Sequence, residues 1–406
     1  MSHRTPTLFL RASSLALLCT LIGACSTSRK IPADTPTSQE AAAIAQQATE
    51  TNGGDQGAIT KAIATPDIQA QATHTTSNTQ PATLSDSYAG RNDARQLASE
   101  LAAAMDLDPQ WTWRVIGKAR YRESAARLML PAPTGTAKNW GVYRSRFVEP
   151  IRIKAGVNFW RTYELDLKRA EATYGVPASV IAGVLGVETI YGRQTGNFRV
   201  LDVLATLSLD FPKGRSDRSA FFKTELGQFL KLCQEQGTDP ESVLGSYAGA
   251  IGLPQFMPSS IRRYAVDFDG DGHIDLLRSP VDAIGSVAHY LSEHGWHAQW
   301  PAYFDITPPT DEQALAKLLE PDILPSFSAS DMRALGASLS DAGQNHPGQL
   351  ALVLLQNGRN VPTLIAGTTN FYAITRYNQS SYYALAVVQL GEVVSREASR
   401  LNLQNP

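Results

Sequence analysis

The sequence has little cysteine and no excess of positive charge. Its 36 Lys and Arg residues stand against 38 Asp and Glu residues, which gives a formal net charge of −2. Because binding to a phosphate backbone requires a basic surface, we do not expect nucleic acid as a partner. Three cysteines in 406 residues exclude a disulfide-rich scaffold. Hydrophobic residues make up 43% of the chain, which is enough to bury a large core.

An apolar run long enough to span a bilayer is missing at the N-terminus. The run Leu15 to Ile22 is too short, but behind Arg4 and Arg11 it is typical of a secretory signal. It leads into Ile22-Gly23-Ala24-Cys25, which resembles the bacterial lipobox. We therefore predict that residues 1–24 are a lipoprotein signal peptide and that acylated Cys25 anchors the protein in a membrane. The alternative is an ordinary signal with a chance cysteine.

The remaining cysteines have no disulfide partner after this processing. Cys19 leaves with the signal peptide, so Cys233 stays alone and no intramolecular disulfide is available. Cys233 lies in a segment of helical character, and we expect a buried packing thiol, with a nucleophile as the alternative. A zinc peptidase is disfavoured because no His-Glu-x-x-His segment occurs.

Residues 25–90 lack the apolar side chains that a folded domain needs. They are rich in Ala, Thr, Gln, Ser and Pro, and Tyr88 is their one aromatic residue. Such a segment cannot bury enough surface to offset its chain entropy, so we predict a disordered tether behind the lipid anchor. A tether of this length lets the domain that follows reach a polymer network that lies at some distance from the membrane.

From Arg91 onward apolar residues recur at helical spacing, and we assign residues 91–406 to one folded body. Strands are indicated at Leu350 to Leu355 and at Phe371 to Thr375. The predicted fold is mainly α, of the α+β type, with a small β element at about 303–375. Strong helical patterns occur at about 157–174, 177–191, 219–235, 281–294, 311–319 and from Tyr383 to Ala398.

One carboxyl group lies on the apolar stripe of a predicted helix. Pro177 suits the first helical turn, Val184, Leu185 and Glu188 follow at helical spacing, and Gly192 can close the helix. Burial at this position raises the pKa of a carboxyl group. Glu188 is therefore a candidate general acid that stays protonated near neutrality.

The alternative for this glutamate is a structural role, in which it pairs with Arg193 or Arg199. Its surroundings favour function, because Gly183 and Gly186 are small enough to let another chain, or a sugar, approach the helix. The helical pattern by itself leaves both interpretations open.

A second unusual stretch runs from Gly245 to Ser259 and combines glycines, two prolines and small side chains. This composition predicts a loop that passes close to another group, with Ser246 and Gln255 as its uncharged hydrogen-bonding side chains. The wall of a cleft fits this description, and an ordinary turn that connects two secondary-structure elements is the alternative. The stretch lacks the Lys-Ser/Thr ending of a phosphate-binding loop.

These segments resemble the lytic murein transglycosylases of the membrane-bound B type, whose fold is similar to goose-type lysozyme. The resemblance is carried by Gly186–Gly192 (GVETIYG), Gly252–Ser260 (GLPQFMPSS) and Asn370–Asn378 (NFYAITRYN), and it covers roughly residues 90–400. It implies a lysozyme-like helical catalytic core with a helical N-terminal part. The implied substrate is the glycan strands of peptidoglycan, and no organic cofactor is implied.

By the same resemblance, Glu188 matches the family's sole catalytic acid/base. The implied reaction cleaves the β-1,4 bond between N-acetylmuramic acid and N-acetylglucosamine, and the muramyl C6 hydroxyl closes a 1,6-anhydro end. A second catalytic carboxyl group should then be absent. The assignment of Arg218 depends on the alignment, because Lys213 and Arg215 are close to it. The positions that match the family's substrate cleft are Tyr143, Arg218, Ser246, Gln255, Tyr290, Tyr377, Asn378 and Tyr383.

Residues 267–275 match the opening of an EF-hand calcium loop. The twelfth position is Arg278 instead of a bidentate glutamate, which excludes a standard loop. The family closes a longer loop, 267–282 here, with a later acid. A structural calcium ion is the expectation, since calcium is abundant outside the cytosol, and a solvated acidic turn is the alternative. The expected ligands are Asp267, Asp269, Asp271, the His273 carbonyl and Asp282.

The resemblance also implies a location in the bacterial cell envelope. Ser26 after the acylated cysteine favours the periplasmic face of the outer membrane. Two other functions remain open from the sequence: a lysozyme-like hydrolase that uses water, and a non-catalytic peptidoglycan-binding lipoprotein. The sequence does not indicate protein partners.

Overall fold

A computed structural model describes residues 87–130, 138–214 and 216–404. The signal peptide, Cys25 and most of the expected tether lie outside the described residues. Within them the chain is mainly helical, as the sequence predicts, with six short strands. The helices are α1 Asn92–Met105, α2 Pro109–Lys118, α3 Glu123–Leu128, α4 Trp140–Phe147, α5 Pro150–Thr162, α6 Glu164–Tyr174, α7 Ala178–Thr189, α8 Val200–Leu209, α9 Ser219–Gln236, α10 Pro258–Tyr264, α11 Pro280–Glu293, α12 Glu312–Leu319, α13 Ala329–Ala334, α14 Asp341–Gln344, α15 Thr369–Tyr377 and α16 Ser381–Gln404. The strands are β1 Phe198–Arg199, β2 Leu244–Gly245, β3 Tyr303–Thr307, β4 Ser338–Leu339, β5 Ala351–Asn357 and β6 Asn360–Gly367.

The folded part already includes Tyr88, which the sequence assigned to the end of the tether. Its side chain is 1% exposed, and its hydroxyl donates a 2.7 Å hydrogen bond to Asp210. Arg91 binds the same carboxylate at 2.7 Å. These contacts fix the start of α1 against the end of α8, so an aromatic residue that composition alone assigned to a polar segment belongs to the core.

Two secondary-structure predictions were wrong. The single helix expected at 157–174 is α5 and α6, separated at Tyr163, whose backbone leaves helical geometry (φ −115°, ψ 25°). The strand expected at Phe371 to Thr375 is part of α15. Thr368 caps this helix by accepting from the Asn370 backbone N–H, and Phe371 and Ile374 bury their side chains on one helical face. Tertiary burial therefore overrides the β propensity of these residues.

The small β element is an antiparallel sheet in the order β4-β3-β6-β5. It lies within the segment where the sequence predicted it and has its own small core, which includes Phe304, Leu318, Met332 and Leu352. A separate two-stranded pair, β1 with β2, holds Phe198 opposite Gly245. This pair fixes the start of the glycine-rich stretch.

Helices α7 and α16 form the centre of the protein and run antiparallel. A Cβ on Gly183 would lie 2.2 Å from the carbonyl oxygen of Val387, and a Cβ on Gly391 would lie 2.0 Å from that of Ser179. Only glycine permits such backbone contact. The approach sets the C-terminal end of α7 beside the N-terminal end of α16.

In the described part of the chain, no single helix is long and apolar enough to cross a membrane. The pair α6 and α7, bent by 115°, could do so by length and composition only.

Candidate active site

Glu188 lies in the last turn of α7, where it is 9% exposed. Its Oε1 accepts a 2.6 Å hydrogen bond from the hydroxyl of Tyr383, on α16. Burial raises the pKa of Glu188 to about 8, and the hydrogen bond from Tyr383 acts in the opposite direction. The carboxyl group is therefore largely protonated at neutral pH, which is the state that a general acid needs.

The surroundings of Glu188 do not support a structural ion pair. Among the described residues, no basic nitrogen lies within 4.0 Å of its carboxylate, and Arg199 instead binds Asp202 at 2.5 Å. No second carboxylate of the described residues contributes to its pKa shift. Among the described residues, Glu188 is thus a buried acid without a charged neighbour that shifts its pKa.

The helix that carries Glu188 ends differently from the prediction. It stops at Thr189, and Ile190 (φ 51°, ψ 50°) and Tyr191 (φ 56°) are both left-handed, so Gly192 does not close it. A β-branched residue in this region is strained. The ring of Tyr191 folds back over Gly186, where a Cβ would lie 2.5 Å from the Tyr191 hydroxyl oxygen. The small residues of α7 therefore admit Tyr191 and α16, not a sugar.

The glycine-rich stretch packs directly behind the turn that follows Glu188. The hydroxyl of Thr189 donates to the Leu253 carbonyl at 2.9 Å. Gly252 (φ 77°) must be glycine, because a Cβ there would lie 2.4 Å from the Leu276 carbonyl oxygen. The stretch is therefore fixed next to the acid, as a cleft wall would be.

Ser246 and Gln255 keep hydrogen-bonding capacity in this wall. The Ser246 hydroxyl oxygen accepts from the Ala250 backbone N–H at 3.0 Å, which leaves its own proton to donate. The Gln255 amide nitrogen donates to the carbonyls of Thr195 (3.1 Å) and Gly252 (2.9 Å). These bonds leave the Gln255 carbonyl oxygen as an acceptor.

Four of the predicted tyrosines are grouped around Glu188. Tyr377 packs against Tyr290 with ring centroids 4.9 Å apart and stacks on Tyr383 at 6.3 Å. The charge of Glu188 adds to burial in raising the pKa values of Tyr143, Tyr377 and Tyr383, which shows that all three lie within its electrostatic reach.

Two of these tyrosines are buried and use their hydroxyls within the protein. Tyr383 is fully buried and directs its hydroxyl to Glu188. Tyr290 is 7% exposed and donates to the Arg376 carbonyl at 2.7 Å. Their hydroxyls satisfy protein acceptors, so Tyr383 positions the acid and Tyr290 supports Tyr377, whose own hydroxyl donates to the Pro254 carbonyl.

Asn378 and Arg218 complete the predicted set. Asn378 is 7% exposed, and its Oδ1 has no hydrogen-bond partner within the described residues. Arg218 precedes α9 and places its guanidinium 4.7 Å from the ring centre of Phe221. It is not among the groups that shift the pKa of Glu188. The structure therefore does not bring Arg218 into the cluster around the acid.

Arg152 belongs to the surroundings of the site although no sequence motif indicates it. It is 8% exposed, and its Nε donates at 2.8 Å to the carbonyl of Gly186, in the turn that holds Glu188. A second bond reaches the Arg146 carbonyl at 2.7 Å. No local pattern signals this role, because the acceptor in α7 is distant in sequence.

The acidic loop brings three of the expected calcium ligands together. One carboxylate oxygen from each of Asp267, Asp269 and Asp282 lies within 4.8 Å of the other two. Asp282 is 1% exposed at the start of α11 and accepts from the Phe268 and Asp275 backbone N–H groups at 2.8 Å. Three converging carboxylates repel one another unless a cation is bound, so these residues fit a divalent ion.

Asp271 is not in this group of three, and its Oδ1 accepts from the backbone N–H of His273 at 2.8 Å. The buried Cys233, 2% exposed, agrees with the expected packing thiol.

The chain is similar to known proteins over most of its length. The transglycosylase SLT domain family matches residues 89–392. The chain is 39% identical over 321 residues to the membrane-bound lytic murein transglycosylase B of Escherichia coli (strain K12), with 76% of this chain and 84% of the relative covered.

Solved structures give the same result. The soluble lytic transglycosylase SltB1 from Pseudomonas aeruginosa is 39% identical with a TM-score of 0.68, covering 76% of this chain and 99% of that one. The E. coli lytic transglycosylase Slt35 in complex with calcium is 38% identical with a TM-score of 0.67, covering 77% and 95%.

Proposed function

Because the chain belongs to the lytic murein transglycosylase family, and is therefore a lyase that acts on peptidoglycan, we propose that it cuts glycan strands with one carboxyl group, Glu188. The bond cleaved is the β-1,4 link between N-acetylmuramic acid and N-acetylglucosamine. The observation that carries this proposal is a solitary, buried carboxyl group with a pKa of about 8 beside a glycine-rich wall.

In the first step, protonated Glu188 donates its proton to the glycosidic oxygen as the bond from that oxygen to muramyl C1 breaks. The N-acetylglucosamine side leaves as a neutral alcohol. The acetamide of the muramyl sugar stabilises the cationic C1. Glu188 is left as a carboxylate, which the Tyr383 hydroxyl stabilises through its 2.6 Å hydrogen bond.

In the second step, the Glu188 carboxylate takes the proton of the muramyl C6 hydroxyl while that oxygen bonds to C1. This closes the 1,6-anhydro ring and restores the protonated acid, so no water is consumed. An attacking group in the same sugar has a high effective molarity. A second carboxylate, which ordinary glycosidases use as nucleophile or base, is therefore not required.

The residues around Glu188 supply binding and position. The Ser246 hydroxyl proton and the Gln255 carbonyl oxygen offer hydrogen bonds suited to sugar hydroxyls and acetamides. The Asn378 side-chain oxygen is buried without a partner among the described residues, and in this proposal it accepts a hydrogen bond once a sugar displaces the groups that cover it. Tyr143 and Tyr377 provide ring surface near the acid. Arg218 contacts a more distant part of the glycan strand in this proposal.

Mass spectrometry of the products from purified sacculi tests the reaction. We expect muropeptides with 1,6-anhydro ends, and Glu188→Gln should abolish their release. Reducing ends in their place would show a hydrolase that uses water. Release that persists unchanged in Glu188→Gln would contradict the role of this residue and leave it a structural one.

A calcium ion in the acidic loop is the second part of the proposal. Asp267, Asp269 and Asp282 would hold it, with Asp271 and the His273 carbonyl completing the ligand set. The related Slt35 structure in complex with calcium supports this assignment. The ion would neutralise the carboxylates and tie the loop to α11, the helix that carries Tyr290. Its role is structural.

The location proposed is the cell envelope, with acylated Cys25 as the anchor and residues 25–86 as the tether. The relative from E. coli is membrane-bound by name. Membrane fractionation tests this, because Cys25→Ser should move the protein to the soluble fraction. Wild-type protein in the inner membrane would overturn the outer-membrane assignment.

A further inference from the structure

A cavity of about 380 Å³ lies between the α7–α16 pair and the small sheet. Ser179 at the start of α7 and Glu392 on α16 line it. Each is about 14 Å along its helix from the Glu188–Tyr383 contact, at 1.5 Å per residue. The cavity is therefore a site separate from the active-site cleft, at the opposite end of the same helix pair.

Trp300, one of the aromatic residues that line this cavity, is held in place from several sides. The fully buried Asn370 donates to the carbonyls of His297 and Trp300, both at 2.8 Å, and accepts from the His297 backbone N–H at 2.7 Å. The Trp300 ring stacks on His297 with centroids 4.2 Å apart and lies nearly perpendicular to the His346 ring at 4.6 Å. Its position is thus fixed before any ligand arrives, which lowers the entropic cost of binding.

The polar groups of the cavity are open to a ligand. Within the described residues, the indole N–H of Trp300 has no acceptor. Asp305 and Glu392 supply carboxylates, Ser179 and Ser340 supply hydroxyls, and no lysine or arginine lines the cavity. Aromatic side chains combined with carboxylate acceptors suit a ligand that has apolar C–H surfaces and many neutral O–H and N–H donors.

We propose that this cavity binds a neutral N-acetylhexosamine segment of a glycan strand. The absence of cations in its lining disfavours the anionic stem peptides, so the recognised part is the sugar. This inference rests on the proposed function only for the identity of the polymer. A strand bound at two sites dissociates more slowly from the enzyme than one bound at the cleft alone, because either contact keeps the other at high local concentration.

Titration calorimetry with N,N′-diacetylchitobiose tests the site directly. The full chain with Glu188→Gln prevents turnover, and we expect two binding sites per chain. Adding Trp300→Ala to this variant should reduce the stoichiometry to one. Equal stoichiometry and affinity in the two proteins would overturn the proposal.

A second pair of variants avoids the loss of a large side chain. Asp305→Asn/Glu392→Gln should raise KM for intact sacculi at least threefold and leave kcat/KM on short soluble muropeptides unchanged. Glu312→Gln/Glu320→Gln, at two exposed acids, is the control with the same change of charge. A KM equal to that of the control would contradict the second site. A wild-type protein that cuts no sacculi would contradict the proposed function instead, and the chitobiose stoichiometry would still decide the cavity.

Discussion

The raised pKa of Glu188 predicts that this residue costs stability, and that the cost grows with pH. The folded-state pKa of about 8 lies above the ordinary value of 4.5. The folded protein therefore holds a proton that the unfolded chain releases, and its stability falls as pH rises between these values. Glu188→Gln removes the titration, so the variant should gain stability over the wild type as pH increases.

The size of this gain follows from linkage between the two pKa values. The pH-dependent part of the difference in unfolding free energy is near zero at pH 4, about 3 kcal/mol at pH 7 and about 5 kcal/mol above pH 8. For a folded body of about 310 residues, 3 kcal/mol corresponds to a rise in Tm of about 5 °C. The variant should at the same time be inactive.

Thermal unfolding of both proteins from pH 4 to pH 9 measures this directly. Glu320→Gln, at an exposed glutamate, is the matched control and should follow the wild type at every pH. A Tm difference between Glu188→Gln and wild type that stays constant with pH would contradict the raised pKa, since a glutamate with the same pKa in both states gives no pH dependence. A Tm difference that shrinks toward high pH would show that the pKa of Glu188 is shifted in the opposite direction.

Three further predictions follow from the contacts of the site. Tyr383→Phe removes the hydrogen bond that lowers the pKa of Glu188. We expect kcat to fall roughly 10- to 100-fold and the alkaline limb of the pH–rate profile to move to higher pH. An alkaline limb at the wild-type pH would contradict the contact between Tyr383 and Glu188. Gly391→Ala inserts a Cβ against the Ser179 carbonyl and should cost about 2–3 kcal/mol in urea unfolding, and wild-type stability would contradict that close approach. A chelator such as EGTA should lower the Tm by about 4 °C if calcium is present at about 100 times its Kd, and an unchanged Tm would argue against a bound ion.

Much of the site could be predicted from the sequence, because the signals were local. The spacing of Val184, Leu185 and Glu188 placed the acid on a buried face, and its burial confirms that prediction. The composition of the stretch from Gly245 to Ser259 predicted a loop that approaches another group closely. The Asp-rich run at 267–275 predicted carboxylates in one place, and three of them converge.

The partners of these groups could not be predicted, because they come from distant parts of the chain. Tyr383 matched a substrate-binding position, yet the packing of α16 on α7 buries it completely and turns its hydroxyl to Glu188. Phe371 and Ile374 have strong β propensity, and only their place in the core makes that segment helical. Arg152 donates a hydrogen bond to the Gly186 carbonyl, and no local sequence pattern indicates this contact between two different helices.

From the sequence alone, helical phase and glycine content predict that Glu188 lies on a buried face and make it the candidate acid, because both are local properties. Tertiary structure alone decided that no cation neutralises Glu188 and that Tyr383 is its one hydrogen-bond donor among the described residues. The tertiary structure also forms the cavity at the other end of the same helices. A pKa and the shape of a cavity depend on desolvation and on packing between segments that are distant in sequence. Hydrophobic periodicity along the chain carries no information about this packing.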